Sequence, residues 1–200
     1  MSAAIALIAG LGNPGSSYEP TRHNAGFWFM DALAKQYHVS FANESRFHGQ
    51  TARVTIGECP LYLLKPGAYM NRSGQSVAAL CRYYRIPVSQ VLIVHDELDL
   101  DAGTVRLKQG GGHGGHNGLR DIITSFSGDA GFYRMRIGIG HPGNSREVVD
   151  YVLQKPGKQD RESIGLAIDA ALESLPALLE GDVGRVQQQL HSRGKASSAT

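Results

Sequence analysis

Two hundred residues, 42% hydrophobic and 19% charged, are enough for one domain with a full core, and they exclude both a disordered chain and a pair of minimal domains. Lys plus Arg number 20 against 18 for Asp plus Glu, so the net charge of +2 excludes global charge as the source of affinity for an acidic partner. Cys59 and Cys81, the only cysteines, sit in a strand-edge pattern and an amphipathic helix, where they read as small buried hydrophobes of a reducing compartment; no disulfide is expected.

The opening MSAAIALIAG has no basic segment and is too short an apolar run to span a bilayer, so it reads as a first buried strand, with the cytoplasm as the expected location. Strands are predicted at 4–9, 51–56, 61–65, 91–95, 104–108 and 133–139, where apolar runs are bounded by Gly, Pro or Asn. Helical spacing marks 27–37, 74–84, 119–126, 148–153, 161–179 and 183–190. This alternation predicts an α/β fold: a single-domain three-layer sandwich with a central twisted mixed β-sheet flanked by helices, over residues 1–190. Residues 191–200, HSRGKASSAT, are small and polar and read as a flexible tail.

Polar motifs follow four of the strands: GLGNPGSSYEPTRHN, KPGAYMN, HDELDLD and KQGGGHGGHNGLR. Ligands of open α/β sheets bind beyond the carboxyl ends of strands, so the four loops are expected to converge on one rim. Six glycines between Lys108 and Arg120 forgo packing and favour close approach of another molecule. Charge is clustered as well. Residues 91–103 hold four acids and no Lys or Arg, whereas residues 104–136 hold Arg106, Lys108, Arg120, Arg134 and Arg136 against Asp121 and Asp129.

Gly10, Gly12 and Gly15 match the dinucleotide fingerprint, but Pro14 removes a backbone donor where a pyrophosphate needs one, so no nucleotide cofactor is expected. Asn13 in Asn-Pro-Gly suits a turn, and Asn71 and Asn117 suit helix caps. Taken together, the three would also place neutral amides around one pocket, which fits an uncharged acyl or peptide substrate. His23 precedes a helix, and Asp96 ends the buried run VLIVHD; a carboxylate there can fix an imidazole tautomer, the skeleton of a general base. No Gly-x-Ser-x-Gly elbow is present, which leaves water as the nucleophile. A competing metal site would use His95, Asp96, His113 and His116, but neighbours on a strand point to opposite faces and a glycine-rich loop holds ligands poorly.

GLGNPG, YEPTRHNAG, KPGAYMNRSG, HDELDLDAGTVRLKQGGGHGGHNGLRDI and RMRIGIGHP resemble, in order and spacing, the bacterial-type peptidyl-tRNA hydrolases, over roughly residues 5–155. The resemblance implies hydrolysis of the ester between a peptide and the terminal ribose of tRNA, without metal or other cofactor. It implies His23 as general base, Asp96 as the carboxylate orienting it, and Asn13 as an amide contacting both His23 and substrate. It further implies that Asn71 and Asn117 grip the peptide, with Tyr18 and Met70 lining the cleft. Lys108 and Arg136 would hold the tRNA 5′ phosphate, with His116 beside the route of the acceptor stem. The implied partner is peptidyl-tRNA, through its acceptor stem and CCA end; no membrane and no obligate protein partner are implied, and a monomer is expected. Two other readings stand beside it: a non-catalytic RNA-binding relative and a metallohydrolase of small esters. Residues 142–160, rich in Pro and Gly, are expected to cover the cleft.

Overall fold

A computed structural model describes the backbone of residues 5–196 and the side chains through residue 192. The central strand β1 (Leu7–Gly10) is wholly buried and pairs in parallel with β4 (Cys59–Pro66) on one side and β5 (Val91–Glu97) on the other. β2 (Ala42–Glu44) and β3 (Gly49–Ile56) extend the β4 side as an antiparallel meander. β7 (Tyr133–Gly138) runs parallel to β5, and β6 (Val105–Gln109) closes the other edge antiparallel to β7. The seven-stranded order is β2-β3-β4-β1-β5-β7-β6.

The helices α1 (Ala25–Gln36), α5 (Lys158–Leu179) and α6 (Val183–Ala196) cover one face, with Phe29, Leu33, Leu172 and Val186 packed on Ile8, Leu92 and Met135. The helices α2 (Ser73–Tyr84) and α3 (Asn117–Ser125) cover the other, setting Val77, Leu80 and Ile122 against Leu7, Ala9 and Ile93. The short α4 (Val148–Val152) lies near the carboxyl ends of the parallel strands. The three-layer mixed sandwich is therefore as expected. Gly10 serves contact between layers: a Cβ there would lie 2.4 Å from the Gly26 carbonyl oxygen of α1. The first glycine of the apparent nucleotide fingerprint thus seats a helix on a strand.

Two expectations require correction. The glycine loop does not leave the rim where the other three loops gather, because β6 is antiparallel: Gln109 stands opposite Tyr133, at the amino end of β7. The loop has to climb back over the sheet face to reach the cleft. In addition, α6 continues through Ala196, so residues 191–196 are helical rather than a tail. Buried Val186 and Leu190 anchor this helix. The rest of the expected tail, 197–200, and the first residue of the expected strand at 4–9 lie outside the described residues.

Candidate active site

The loops after β1, β4 and β5, the N-terminus of α3 and one side of α4 line a cleft of about 590 Å³. Asn13, Tyr18, His23, Met70, Asn71, Asp96, His116 and Asn117 all line it. Lys108 and Arg136 do not.

At its floor, the His23 Nδ1–H donates to both oxygens of Asp96, at 3.0 and 2.9 Å. Both residues are buried, which matters electrostatically. Burial pulls the His23 pKa down, but the charge of Asp96 and its hydrogen bond outweigh that, leaving it above the ordinary 6.5. Burial likewise opposes ionisation of Asp96, yet the two imidazoles beside it hold its carboxyl far below the usual carboxylate range. With Nδ1 committed, Nε2 of His23 has no hydrogen-bond partner among the described residues.

His116, expected beside the acceptor stem, is the second of those imidazoles. Its Nε2–H donates to Asp96 Oδ1 at 2.9 Å, while its Nδ1 accepts from Gly118 and Leu119 N–H at the start of α3. The helix cap anticipated from Asn117 is thus supplied by the neighbouring imidazole, which fixes its tautomer and ties α3 to Asp96. Asn117 is exposed at the rim, its Oδ1 accepting from Arg120, and Asn71 is exposed opposite. No side chain caps α2 from its own N-cap; Asp121 of α3 accepts from Gly74 N–H instead.

Asn13 is held on three sides. Its Oδ1 accepts from Met70 N–H at 2.7 Å, its own N–H donates to Asn24 Oδ1, and Asn24 Nδ2 donates back to its carbonyl. With Oδ1 spent in this way, the amide NH₂ of Asn13 is left as the group to present to the cleft. Asn24, 1% exposed, escaped the sequence reading; its only signal was adjacency to His23.

The donor atoms of His23, Asp96 and His116 lie within 4.8 Å of one another, close enough for a metal-ligand set, but here both imidazole N–H groups point at the carboxylate. The set named from sequence is not assembled. His95 Nδ1–H donates to the Asp96 backbone carbonyl, and His113 Nδ1 accepts from Gly115 N–H on an exposed loop. Neither cysteine offers a nucleophile: Cys81 is buried with its thiol pushed up to about 12, and Cys59 does not line the cleft.

The sequence model of peptidyl-tRNA hydrolase matches residues 7–198. The chain belongs to the peptidyl-tRNA hydrolase family. A peptidyl-tRNA hydrolase of Coxiella burnetii (strain CbuG_Q212) is 53% identical over 96% of this chain and all of its own length, and that of Neisseria meningitidis serogroup A is 49% identical over the same shares. The crystal structure of peptidyl-tRNA hydrolase from Acinetobacter baumannii superposes with a TM-score of 0.90 at 48% identity, covering 93% of this chain and 94% of that one.

Across the cleft of this peptidyl-tRNA hydrolase family member, α4 presents Val148, Val149 and Val152, followed by Leu153. Val149 is 65% exposed, an apolar surface facing the amides. This segment is tied to the residue next to His23. Arg22 N–H donates to Gln154, its guanidinium donates to the Tyr151 and Gln154 carbonyls, and it lies 4.0 Å from the Tyr151 ring centre. Tyr151 OH in turn donates to the Ile139 carbonyl. The cover expected over 142–160 is therefore a wall anchored at its far end. Among the described residues, no helix is long and apolar enough to cross a membrane.

Proposed function

We propose that this enzyme hydrolyses the ester joining a peptide to the 3′-terminal ribose of tRNA by using His23 as general base. The observation that carries the assignment is the His23 imidazole, pinned at Nδ1 by Asp96 and without a partner at Nε2 among the described residues, on the floor of the cleft. Nε2 takes a proton from water as the oxygen attacks the ester carbonyl. The imidazolium so formed is stabilised by the adjacent carboxylate. The tetrahedral oxyanion accepts from the Asn13 NH₂, whose orientation is set by the Met70 N–H. Collapse of the intermediate expels the ribose oxygen, which recovers the proton from His23 Nε2. Water and side chains account for every atom and proton.

Substrate selection follows from the rim. Asn71 and Asn117 suit the amide groups of a peptide, and the α4 valines suit its apolar side chains. A free aminoacyl ammonium would be poorly solvated there, which favours N-blocked esters. Lys108 and Arg136 hold an RNA phosphate outside the cleft, Arg136 aimed by its 2.9 Å bond to Glu97. We place the enzyme in the cytoplasm as a monomer.

The test is release of tRNA from N-blocked aminoacyl-tRNA in chelator by wild type and His23→Ala. The expected result is rapid release by wild type and a fall of roughly 10²- to 10⁴-fold in the variant, with RNA affinity retained. Full turnover by the variant removes His23 as the base; loss of wild-type turnover in chelator with rescue by zinc moves the chemistry to a metal held by His23, Asp96 and His116.

A further inference from the structure

The glycine loop starts at the amino end of β7, where Gly110 N–H donates to the Phe132 carbonyl, and ends at His116 against Asp96, at the opposite end of β5. Between these points it lies over the sheet face, and what lies beneath it is unusual. Arg134 is 3% exposed and has no ion pair among the described residues. Its guanidinium donates instead to the carbonyls of Gly111 and Gly112, and its Nε has no partner among the described residues. Burying a cation is costly, and two backbone carbonyls of one loop, with the Phe132 ring centre 4.8 Å away, are what meets it.

The consequence lies on the loop's other side. Its peptide bonds are trans, so each C=O points away from the N–H of the next residue. With the Gly111 and Gly112 carbonyls turned down onto Arg134, the N–H groups of Gly112 and His113 point away from the sheet. Neither has a hydrogen-bond partner among the described residues. Positive φ at Gly110, Gly111, Gly114 and Gly115 makes this path available. Nothing lies within 4 Å of a Cβ built on Gly112, so the space beside it is open. On β6, Lys108 stands in register with Arg134, and its ammonium lies over Gly111, 2.8 Å from where a Cβ would be. Two outward amides beside an ammonium make a phosphate-binding arrangement.

We propose that Arg134 is a positioning residue that holds the glycine loop so that the Gly112 and His113 amides, together with Lys108, form a phosphate-binding edge for the RNA strand of the substrate. This rests on the reading of Lys108 and Arg136 as phosphate holders and adds the backbone donors and the buried cation that aims them. The bound group is a 5′ monoester or a backbone diester.

The experiment measures binding of a CCA-ended RNA hairpin, with a 5′ phosphate or a 5′ hydroxyl, to full-length protein. Arg134→Lys keeps the charge and loses the two-pronged grip; Gly112→Pro removes one N–H, and Gly112→Ala retains it. Arg134→Lys is expected to weaken binding of the phosphorylated hairpin about tenfold, and Gly112→Pro to bind it about tenfold more weakly than Gly112→Ala, the size of one hydrogen bond to a charged group. A loss confined to the phosphorylated hairpin identifies the monoester, and an equal loss on both hairpins identifies a diester; either supports the edge. On N-blocked aminoacyl-tRNA, KM is expected to rise about tenfold in Arg134→Lys, with kcat within about threefold of wild type. A fall in kcat at constant KM overturns the positioning role. If Arg134→Lys does not fold, the two Gly112 variants decide. Wild-type binding by Arg134→Lys, or equal binding by the Gly112 pair, overturns the edge; Lys108→Ala then separates the causes, because its loss of binding leaves the cation reading standing and its wild-type binding removes that as well.

Discussion

On the face of the sheet covered by α1, α5 and α6, the buried strand residues are Ile8, Val54, Leu61, Leu63, Leu92, Val94, Val105, Leu107, Met135, Ile137 and other apolar or aromatic side chains, until Asp96 at the carboxyl end of β5, which alternation places with Leu92 and Val94. The opposite face is divided. Under α2 and α3 it is equally apolar, but beyond Ile93 it carries His95 and Arg134, both buried, with Arg136 half-buried beside them. Apolar packing is non-directional and tolerates modest repacking, whereas each buried polar group needs a partner of stated geometry. The apolar layers therefore supply stability, and the buried polar groups at the strand ends, Asp96 on the first face and His95 and Arg134 on the second, fix where particular atoms sit.

Substitutions at the boundary sharpen this division, and Asp96→Asn is expected to have the largest effect. The carboxylate accepts from both His23 and His116, but a carboxamide has one acceptor oxygen, so one imidazole must face an N–H or change tautomer. Turnover on N-blocked aminoacyl-tRNA should fall roughly 10²- to 10⁴-fold while RNA affinity and melting change little; an active variant would place the base elsewhere. Phe29→Ala, at a fully buried site on α1, is expected to do the reverse, costing about 3–5 kcal/mol in urea denaturation while kcat of the folded fraction is retained. Loss of kcat without loss of stability would break the division. The smallest effect is a shift in the pH profile. As the proposed base, His23 would act unprotonated, and its pKa is raised, so kcat/KM should rise with pH through a midpoint above 6.5. In Asp96→Asn the residual activity should titrate lower, because burial, which lowers the pKa, then acts without the opposing charge.

Much of the layer architecture was legible in the sequence because the long elements keep their periods: apolar spacing of three and four marks α5, and an unbroken apolar run marks β5. β2 left no signal, since Ala42, Asn43 and Glu44 form a three-residue edge strand with no buried residue. The direction of β6 depends on its pairing with β7, more than twenty residues away in sequence, so the route of the glycine loop could not be read locally. The cleft residues were legible through their motifs, but the contact that gives His116 its place links it to Asp96 across twenty residues and belongs to the tertiary fold. For Arg134 a signal was present. Alternation with Tyr133, Met135 and Ile137 puts Arg134 and Arg136 on the face opposite the main core, and that pattern in a buried strand implies a buried cation in need of ligands.

His95 has a thermodynamic consequence that reaches past the cleft. Its ring is 1% exposed, Nδ1–H is committed to a backbone carbonyl, and burial foremost, then the neighbouring His116, hold its pKa down to about 3. The folded protein thus refuses a proton that the unfolded chain accepts once the pH drops below 6.5, so unfolding takes up acid throughout that interval and acidification pulls the equilibrium toward the open chain. The imidazole under the glycine loop, which takes no part in the proposed chemistry, adds an acid-labile contribution to the fold, opposed in sign by the raised pKa of His23.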